Sequence, residues 1–418
     1  MPGGEYRHRM PIDIDAVRAQ FPALRRTQNG RQVAYLDGPG GTQVPDRVIE
    51  AIAGLLRDGA SNHGGPFVTS HETDAVTERA RSAVAALFNA SPAEIAFGQN
   101  MTSLTFAVSR ALANTWTSGD NLVVTRLDHD GNVWPWVRAA EEAGVEVRYL
   151  DFDPDKGCRL AVETLGELMD KRTRLVAVTH ASNAVGTIVD VAAVVETAHA
   201  GGALTYVDAV HYSPHGLVDV AATGTDFLVA SAYKFFGPHT GCLYGRYEIL
   251  DELDAYKLRP APVKPPGKWE TGTQSFESLA GVAAAVDYLA SLGTGDGLRE
   301  QIVSAMGEIG DHESKLARRF LKGLNLLDGA TLHGMPFATG RTPTFAISLD
   351  GVPPAEVAKA LGDEGIFVWD GDYYAVEVMD RLGVADRGGL VRVGFVHYNT
   401  TEEVDRVLHA LASIGSGA

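Results

Sequence analysis

The middle of the chain alternates short, continuously apolar runs with stretches of helical periodicity. Apolar runs predict strands at residues 121–125, 147–151, 174–179, 204–207, 227–230 and 242–244. Helical patterns lie between them, for example at residues 131–143 and 192–199. Strands that are apolar on both faces and separated by helices indicate a mostly parallel sheet with crossover helices on both sides.

Beyond residue 260 the pattern changes. Residues 260–272 are rich in proline and glycine and lack periodicity, which predicts a loop that could reach across an interface. The rest of the chain predicts helices at 278–292, 299–324, 355–361 and 401–414, and strands at 344–349, 366–369 and 390–395. We therefore predict a large domain at 31–290, a smaller α+β domain at 291–418, and an N-terminal segment, 1–30, that packs with the small domain.

Composition narrows the function. The chain has 418 residues and a formal net charge of −17, which argues against nucleic acid, because that partner needs a basic face. We recognise neither a membrane span nor a secretory signal, so we expect a cytoplasmic protein. Cys158 and Cys242 are far apart, which argues against a disulfide framework and a structural zinc site.

The most informative segment is Ser231-Ala232-Tyr233-Lys234, which continues Phe-Phe-Gly-Pro. A lysine buried at the mouth of a sheet loses its preference for the charged state and becomes a usable amine nucleophile. A lone lysine at a strand end is more commonly a solvated side chain. The neighbouring motifs decide between these two interpretations.

Asp208 ends the apolar run at 204–207. An enzyme that uses pyridoxal 5′-phosphate (PLP) needs a carboxylate against the pyridine nitrogen of that cofactor. Ligands of open α/β sheets bind at the carboxyl ends of the strands, where Asp208 is expected. A helix N-cap is the alternative for Asp208. Its position one strand before Lys234 favours PLP.

One further segment suits the phosphate group of the same cofactor. Residues 98–103 follow the short apolar run 95–97 and open a helical stretch at 104–112, so backbone amides and the Thr102 hydroxyl make an anion site. Many helices begin with small polar residues, so this signal is weak alone. Residues 38–42 lack the ending of a Walker A loop, and we interpret them as a turn near the active site.

His129 follows the strand predicted at 121–125. Its imidazole could stack on the cofactor ring and transfer protons near neutral pH. The alternatives are a capped helix start or a metal site formed with the neighbouring Asp128 and Asp130. Because the segment 128–136 contains one histidine, the metal site is the weaker alternative, and we predict no metal.

Together these motifs resemble the class V aminotransferase family of fold-type I PLP enzymes, and within it the cysteine desulfurase-like branch. The resemblance extends from Tyr35-Leu36-Asp37 to Tyr398-Asn399-Thr400. Its most specific pieces are the Lys234, Asp208 and His129 segments and Glu270-Thr271-Gly272-Thr273. It implies an α/β fold of PLP type I, with a mostly parallel seven-stranded sheet in a large domain and a smaller α+β C-terminal domain.

The resemblance also implies roles for single residues. Lys234 would hold PLP as a Schiff base and move the substrate's α-proton, Asp208 would pair with the pyridine nitrogen, and His129 would stack on the ring. His211 stands where relatives often have a glutamine near the phenolic oxygen of the cofactor. The phosphate would be held by Thr102, Ser231, the amide of Met101, and Tyr233, which replaces a histidine of many relatives.

Two more implications concern the partner subunit and the substrate. Thr273 would reach the phosphate in the neighbouring subunit, which implies a homodimer with shared active sites. Asn183 and Arg392 would bind the α-carboxylate of an amino acid, a task that suits the forked guanidinium. An ordinary surface arginine on a strand is the alternative for Arg392.

One departure from the family matters for the reaction. Desulfurases of this branch use a mobile cysteine that takes sulfur as a persulfide, yet residues 369–376 contain no cysteine. Tyr374 stands at about that position, where we place it among the substrate-binding residues, and Trp369 stands where relatives often keep an arginine. Cys158 and Cys242 are expected to be structural. The persulfide route is therefore disfavoured.

Three functions remain. The leading hypothesis is a PLP-dependent lyase that eliminates a β-substituent, for example by cleaving a C–S bond in a cysteine derivative. The second is an aminotransferase or amino-acid epimerase, which shares the first proton abstraction. The third is a non-catalytic relative that kept the fold.

Overall fold

A central sheet of seven strands organises the chain in the computed structural model, which describes residues 12–59 and 61–415. The strands are β1 Ile95–Gly98, β2 Asn121–Thr125, β3 Glu146–Leu150, β4 Thr173–Thr179, β5 Leu204–Asp208, β6 Phe227–Ser231 and β7 Gly241–Gly245. Their order is β1-β7-β6-β5-β4-β2-β3. Strand β7 is antiparallel to both neighbours, and every other adjacent pair is parallel. The predicted α/β fold with a mostly parallel seven-stranded sheet is confirmed.

Both faces of this sheet are buried along every strand except the edge strand β3, which is why those strands read as mostly continuous apolar runs. Leu122 and Tyr206 belong to one hydrophobic cluster, whereas the next residues, Val123 and Val207, belong to another. Successive side chains of a strand point to opposite faces, so the two clusters lie on opposite sides of the sheet.

Helices cover the sheet and connect its strands. Within the described residues they are Ile14–Ala19, Asp46–Asp58, Val68–Phe88, Met101–Ala113, Trp134–Ala143, Leu165–Leu168, Val191–Ala200, Val220–Thr223, Tyr247–Glu252, Phe276–Ala290, Leu298–Leu324, Pro354–Asp363, Val376–Leu382 and Thr401–Gly415. The helix predicted at 104–112 begins three residues earlier, because the side chain of Asn100 accepts a hydrogen bond from the amide of Ser103.

A second, four-stranded sheet lies in the C-terminal part of the chain. Its strands are β8 Ala330–His333, β9 Thr344–Leu349, β10 Trp369–Gly371 and β11 Leu390–Gly394, in the order β8-β9-β11-β10 and antiparallel throughout. The strand predicted at 366–369 is two strands. Ile366–Phe367 pairs in parallel with Ala34–Tyr35, and Trp369 begins β10.

Two short antiparallel pairs complete the strands. Thr27–Gln28 pairs with Arg31–Gln32, and Phe152–Asp153 pairs with Arg159–Leu160. No helix in the described ranges is long and apolar enough to cross a membrane.

The N-terminal part of the chain contacts distant segments. Residues 1–11 of the predicted segment 1–30, and residues 416–418 of the predicted small domain, lie outside the described residues. Phe21 packs edge-on against Tyr288 and Tyr398, and Arg18 pairs with Glu403 at 3.0 Å. The division into 1–30, 31–290 and 291–418 stays a prediction.

Candidate active site

The carboxyl ends of β5 and β6 open into a cavity of about 1040 Å³. The N-terminus of the helix Met101–Ala113 and strands β10 and β11 form further parts of its wall. The predicted site residues that line it are Met101, Thr102, His129, Asn183, Asp208, His211, Ser231, Tyr233, Lys234, Tyr374 and Arg392. Thr273 lines a separate cavity of about 430 Å³. One concave site thus collects residues that are distant in sequence.

Lys234 lies in a short 3-10 turn directly after β6. Its Nζ donates a hydrogen bond to the carbonyl of Pro39, in the turn at 38–42 that was predicted near the site. Burial, and then the positive charge of Arg392, lower the pKa of this amine to about 7, against the attraction of Asp208 and Asp37. A large fraction of Lys234 is therefore neutral and nucleophilic near pH 7.

Asp208 is the last residue of β5 and is 4% exposed. Burial raises the pKa of its carboxyl to about 6, and a hydrogen bond from the amide of Val210 at 2.8 Å together with the charge of Lys234 opposes the shift. Since that amide occupies Oδ1, Oδ2 is the oxygen left for a ligand in the cavity. A carboxylate in this position suits a cationic pyridinium nitrogen.

His129 faces the cavity as a neutral ring. Burial, and then the charges of Lys234 and Arg392, lower its pKa to about 4. Its Nδ1 accepts a hydrogen bond from the amide of Gly131 at 2.9 Å, so this bond assigns the ring proton to Nε2. A neutral imidazole with a fixed tautomer can stack on an aromatic ring and donate from Nε2.

Behind His129, the carboxyl of Asp128 lies fully buried. Burial raises its pKa to about 8, and Thr125, Asn132 and the amide of Thr179 hydrogen-bond to it. Thr179 lines the cavity, so the hydrogen bond from its amide to Asp128 connects the His129 segment to the cavity wall. The sequence marked Asp128 only as a neighbour of His129.

His211 is also buried, and burial lowers its pKa well below the usual range of histidine. Its Nε2 lies 3.0 Å from the hydroxyls of both Thr342 and Thr344. These contacts direct Nε2 toward the C-terminal part of the chain, so Nδ1 is the nitrogen available for a ligand.

The start of the helix Met101–Ala113, where an anion site is predicted, lines the cavity. The amide of Met101 donates to Oγ of Ser231 at 3.0 Å, so this amide already has an acceptor. The amides of Ser103 and Leu104 bond to Asn100. Among the first-turn amides, that of Thr102 has no acceptor in the described part of the chain. The amide of Thr102, its hydroxyl and the Ser231 hydroxyl therefore suit a phosphate better than the amide of Met101 does.

Tyr233 stacks on His239, with ring centroids 4.8 Å apart and an interplanar angle of 16°. The Tyr233 ring also lies 4.8 Å from Nζ of Lys234. His239 lines both cavities. The sequence prediction missed this histidine, although it directly follows the lysine motif and a histidine is an ordinary partner for an anion.

Arg392 is not a surface arginine, since it is 5% exposed. Its Nη1 donates to the carbonyl of Asn183 at 2.9 Å, its guanidinium lies 4.3 Å from the ring centroid of Tyr373, and its Nε is buried without a partner. Burial lowers the pKa of Arg392 to about 10, so it stays cationic near neutral pH. A buried cation with an unused donor suits a carboxylate ligand.

Asn183 contacts the same loop. Its Nδ2 donates to the carbonyl of Tyr373 at 2.9 Å, and its Oδ1 is buried without a partner. One of the two Nδ2 hydrogens is thus already used. Asp37, which the sequence prediction also missed as a site residue, has a buried and unpartnered Oδ1, and burial raises its pKa to about 6.

Tyr373 and Tyr374 have φ values of +56° each. Two successive aromatic residues in the left-handed region are unusual and mark backbone strain at the edge of a site. Two hydrogen bonds stabilise this strained backbone. The Nδ2 of Asn183 donates to the carbonyl of Tyr373, and the amide of Asp130 donates to the carbonyl of Tyr374 at 2.6 Å. The Tyr374 ring is 71% exposed and stacks on His129.

Glu270 connects the proline-rich loop to the sheet. It makes a bidentate ion pair with Arg81, with both distances 2.8 Å, and accepts a hydrogen bond from the amide of Phe97 in β1 at 3.0 Å. These bonds place Thr271 and Thr273 beside His239, in the smaller cavity. Thr273 therefore lies outside the cavity that contains Lys234.

The residues of the larger cavity fit PLP. They supply an amine of lowered pKa, a buried carboxylate, a neutral imidazole and a hydroxyl-rich helix N-terminus, and the unpartnered Nε of Arg392 adds a place for a carboxylate. Across residues 12–59 and 61–415, no cluster of three or more histidine, cysteine, aspartate or glutamate side chains is arranged to hold a metal ion. Fold and site together define a fold-type I PLP enzyme.

Comparisons with known proteins agree with this class. The family described as Aminotransferase class-V matches residues 34–407. Cysteine desulfurases from Enterobacter sp. (strain 638) and Salmonella typhimurium (strain LT2) are each 32% identical to the chain, covering 97% of it and 99% of their own length. The apo structure of a cysteine desulfurase from Thermococcus onnurineus NA1 superposes with a TM-score of 0.86 at 29% identity, over 98% of this chain and 99% of the other.

The chain belongs to the class V aminotransferase family. It is a PLP-dependent enzyme related to the cysteine desulfurases, and its cofactor is PLP.

Proposed function

We propose that this enzyme cleaves the C–S bond of a cysteine derivative by β-elimination. The observation that carries the proposal is a complete set of cofactor and carboxylate groups in a cavity whose lining contains no cysteine. The relatives named above are cysteine desulfurases, which supports a sulfur-containing amino acid as the substrate.

The two cysteines support elimination over a persulfide route. Cys158 and Cys242 are both fully buried, and neither lines the cavity. Burial raises the pKa of Cys158 to about 12 and that of Cys242 above its usual range. A sulfur acceptor must be an accessible thiolate, and these thiols are neither accessible nor ionised near pH 7.

The proposed reaction balances with water as the second reactant. The Cα–H and Cβ–S bonds of the substrate break, and the C–H electron pair forms a Cα=Cβ bond. The C–S electron pair leaves with sulfur, which takes up a proton and departs as a thiol. Water then hydrolyses the released enamine to pyruvate and ammonia. No cysteine of the protein takes part.

PLP, when bound, supplies an aldehyde that links to amines and an electron-poor ring that stabilises negative charge at Cα. Lys234 is proposed to hold the cofactor and then to take the proton from Cα with Nζ. Asp208 keeps the pyridine nitrogen protonated through Oδ2. His129 packs on the ring and excludes water from one face.

Substrate and phosphate are assigned to different walls of the cavity. Arg392, with Asn183 beside it, binds the α-carboxylate. Thr102 and Ser231 bind the phosphate, with Tyr233 at its edge and His211 near the phenolic oxygen through Nδ1. We further propose a homodimer in which Thr273 reaches the phosphate in the partner subunit, since Thr273 lies outside the Lys234 cavity of its own chain.

A cysteine-free variant tests the role proposed for the chain's thiols. Because Cys158→Ser combined with Cys242→Ala removes every cysteine of the sequence, we expect this variant to release pyruvate from an S-substituted L-cysteine within about threefold of the wild-type rate. Pyruvate is measured with lactate dehydrogenase at a temperature where circular dichroism shows the variant folded.

Lys234→Ala in the same cysteine-free background is the matched control and should release no pyruvate. A folded cysteine-free variant that holds PLP but has lost activity would contradict the proposal, because a thiol would then be required.

A further inference from the structure

The outer part of the cavity exposes three large aromatic side chains. Trp134 is 48% exposed, Trp369 is 54% exposed and Tyr374 is 71% exposed, and all three line the cavity that contains Lys234. The indole of Trp369 packs closely against Gly40, where a Cβ would lie 2.5 Å from its nitrogen. Aromatic rings left exposed in a concave site indicate a surface that contacts ligand.

Acidic side chains share the cavity with these rings. Asp130, Asp370 and Asp372 line the same cavity, and none of them forms an ion pair within residues 12–59 and 61–415. Burial raises the pKa of Asp130, and the negative charges of Glu377 and Asp372 raise it further. Glu377 forms an ion pair with Arg126, which compensates its negative charge. Asp130 and Asp372 have no such partner in the described residues, so the repulsion between them is not compensated.

The inner part of the cavity already has its own charge balance. Lys234 interacts with the charges of Asp208 and Asp37, and Arg392 interacts with the charge of the buried Asp37. The unpartnered Nε of Arg392, which is more than nine-tenths buried, marks the place of the substrate's anionic end. With the α-carboxylate at Arg392, the part of the cavity left for the β-substituent is lined by the aromatic rings and the carboxylates.

We propose that the sulfur substituent of the substrate carries a positive charge, which binds between the rings of Trp134 and Tyr374 and the carboxylates of Asp130 and Asp372. This inference rests on the proposed β-elimination and names the chemical class of its substrate. An aromatic face attracts a cation through its quadrupole, and the carboxylates add direct attraction. An anionic substituent would meet repulsion at the same place.

Three probes of similar size isolate the effect of charge. S-[2-(trimethylammonio)ethyl]-L-cysteine has a fixed positive charge, S-(3,3-dimethylbutyl)-L-cysteine is its neutral carbon isostere, and S-(2-carboxyethyl)-L-cysteine is anionic. Binding to the wild-type holoenzyme is measured from the change in the visible spectrum on titration, and turnover from pyruvate. We expect the cationic probe to bind about tenfold more tightly than its neutral isostere, and the anionic probe to bind weakest.

Two variants assign the preference to these residues. Asp130→Asn with Asp372→Asn keeps side-chain size and the acceptor that Asp372 offers to the amide of Tyr374. We expect it to reduce the ratio of cationic to neutral affinity to about threefold or less, and Trp134→Leu to reduce it as well. Asp386→Asn, on an exposed turn outside the cavity, is the matched control and should leave the ratio unchanged.

Failure of this inference is distinguishable from failure of the proposed function. Pyruvate from all three probes with equal affinities would overturn the charge preference and leave β-elimination standing. No pyruvate from any probe, together with preferred binding of the cation, would overturn β-elimination and leave the preference standing. An affinity ratio that the aspartate variant does not change would overturn the assignment.

Discussion

Lys234→Ala is expected to abolish the visible absorption band of the bound cofactor and to lower turnover by about 10⁴-fold or more. Nζ of Lys234 is the only amine that lines the cavity of the described chain, and its pKa of about 7 makes it nucleophilic near neutral pH. Removing it takes away both the covalent link to the cofactor and the group that moves the α-proton. The measurement is an absorption spectrum after reconstitution with PLP, followed by a pyruvate assay.

Two further variants control this experiment. Lys234→Arg keeps the positive charge but stays protonated, so it should lose the band as alanine does. Lys171→Ala, at an exposed position outside the cavity, should keep the wild-type spectrum. A cofactor band that persists unchanged in Lys234→Ala would show that another amine carries PLP.

Asp208→Asn is expected to lower turnover by about 10²- to 10³-fold, the usual cost of losing one preorganised electrostatic partner. Asparagine keeps the size of the side chain and its acceptor for the amide of Val210, and removes only the negative charge. The pyridine nitrogen of the cofactor then loses its buried counter-charge. The covalent link through Lys234 remains, so we expect the variant to bind PLP while kcat falls.

The same substitution has a second expected consequence. Asp208 raises the pKa of Lys234, so its neutralisation should lower that pKa below about 7 in the enzyme without cofactor. Asp190→Asn is the matched control, because Asp190 caps an exposed helix start outside the cavity and asparagine caps equally well. Turnover of Asp208→Asn within tenfold of the wild type would contradict the role given to this carboxylate.

The central sheet could be predicted from the sequence because its strands, apart from the edge strand β3, are buried on both faces. That burial gives β2 and β4 to β7 mostly apolar runs, so their ends fall within one or two residues of their predicted positions. Ala330–His333 was missed, since it is half exposed and contains no such run. Within the run 366–369, the sequence does not mark where the chain leaves its pairing with Ala34–Tyr35 and enters the four-stranded sheet.

Much of the site could be predicted as well, since Lys234, Asp208 and His129 each follow a strand that the pattern marks. The groups that were missed are brought in by tertiary packing. Asp37 and His239 have no distinctive local pattern. Asp37 comes under the charges of Lys234 and Arg392, and His239 comes to line the cavity, only in the folded chain. The amide of Met101 was assigned to the phosphate because the sequence cannot show that Ser231 already bonds to it.

The identity of the product distinguishes β-elimination from desulfuration and from transamination. Purified wild-type holoenzyme is incubated with S-[2-(trimethylammonio)ethyl]-L-cysteine, and carbon products are identified by proton NMR without separation. β-Elimination predicts pyruvate, ammonia and the free thiol in equal amounts, with no alanine. Alanine as the product, or amino-group transfer to an added keto acid without pyruvate, would contradict β-elimination.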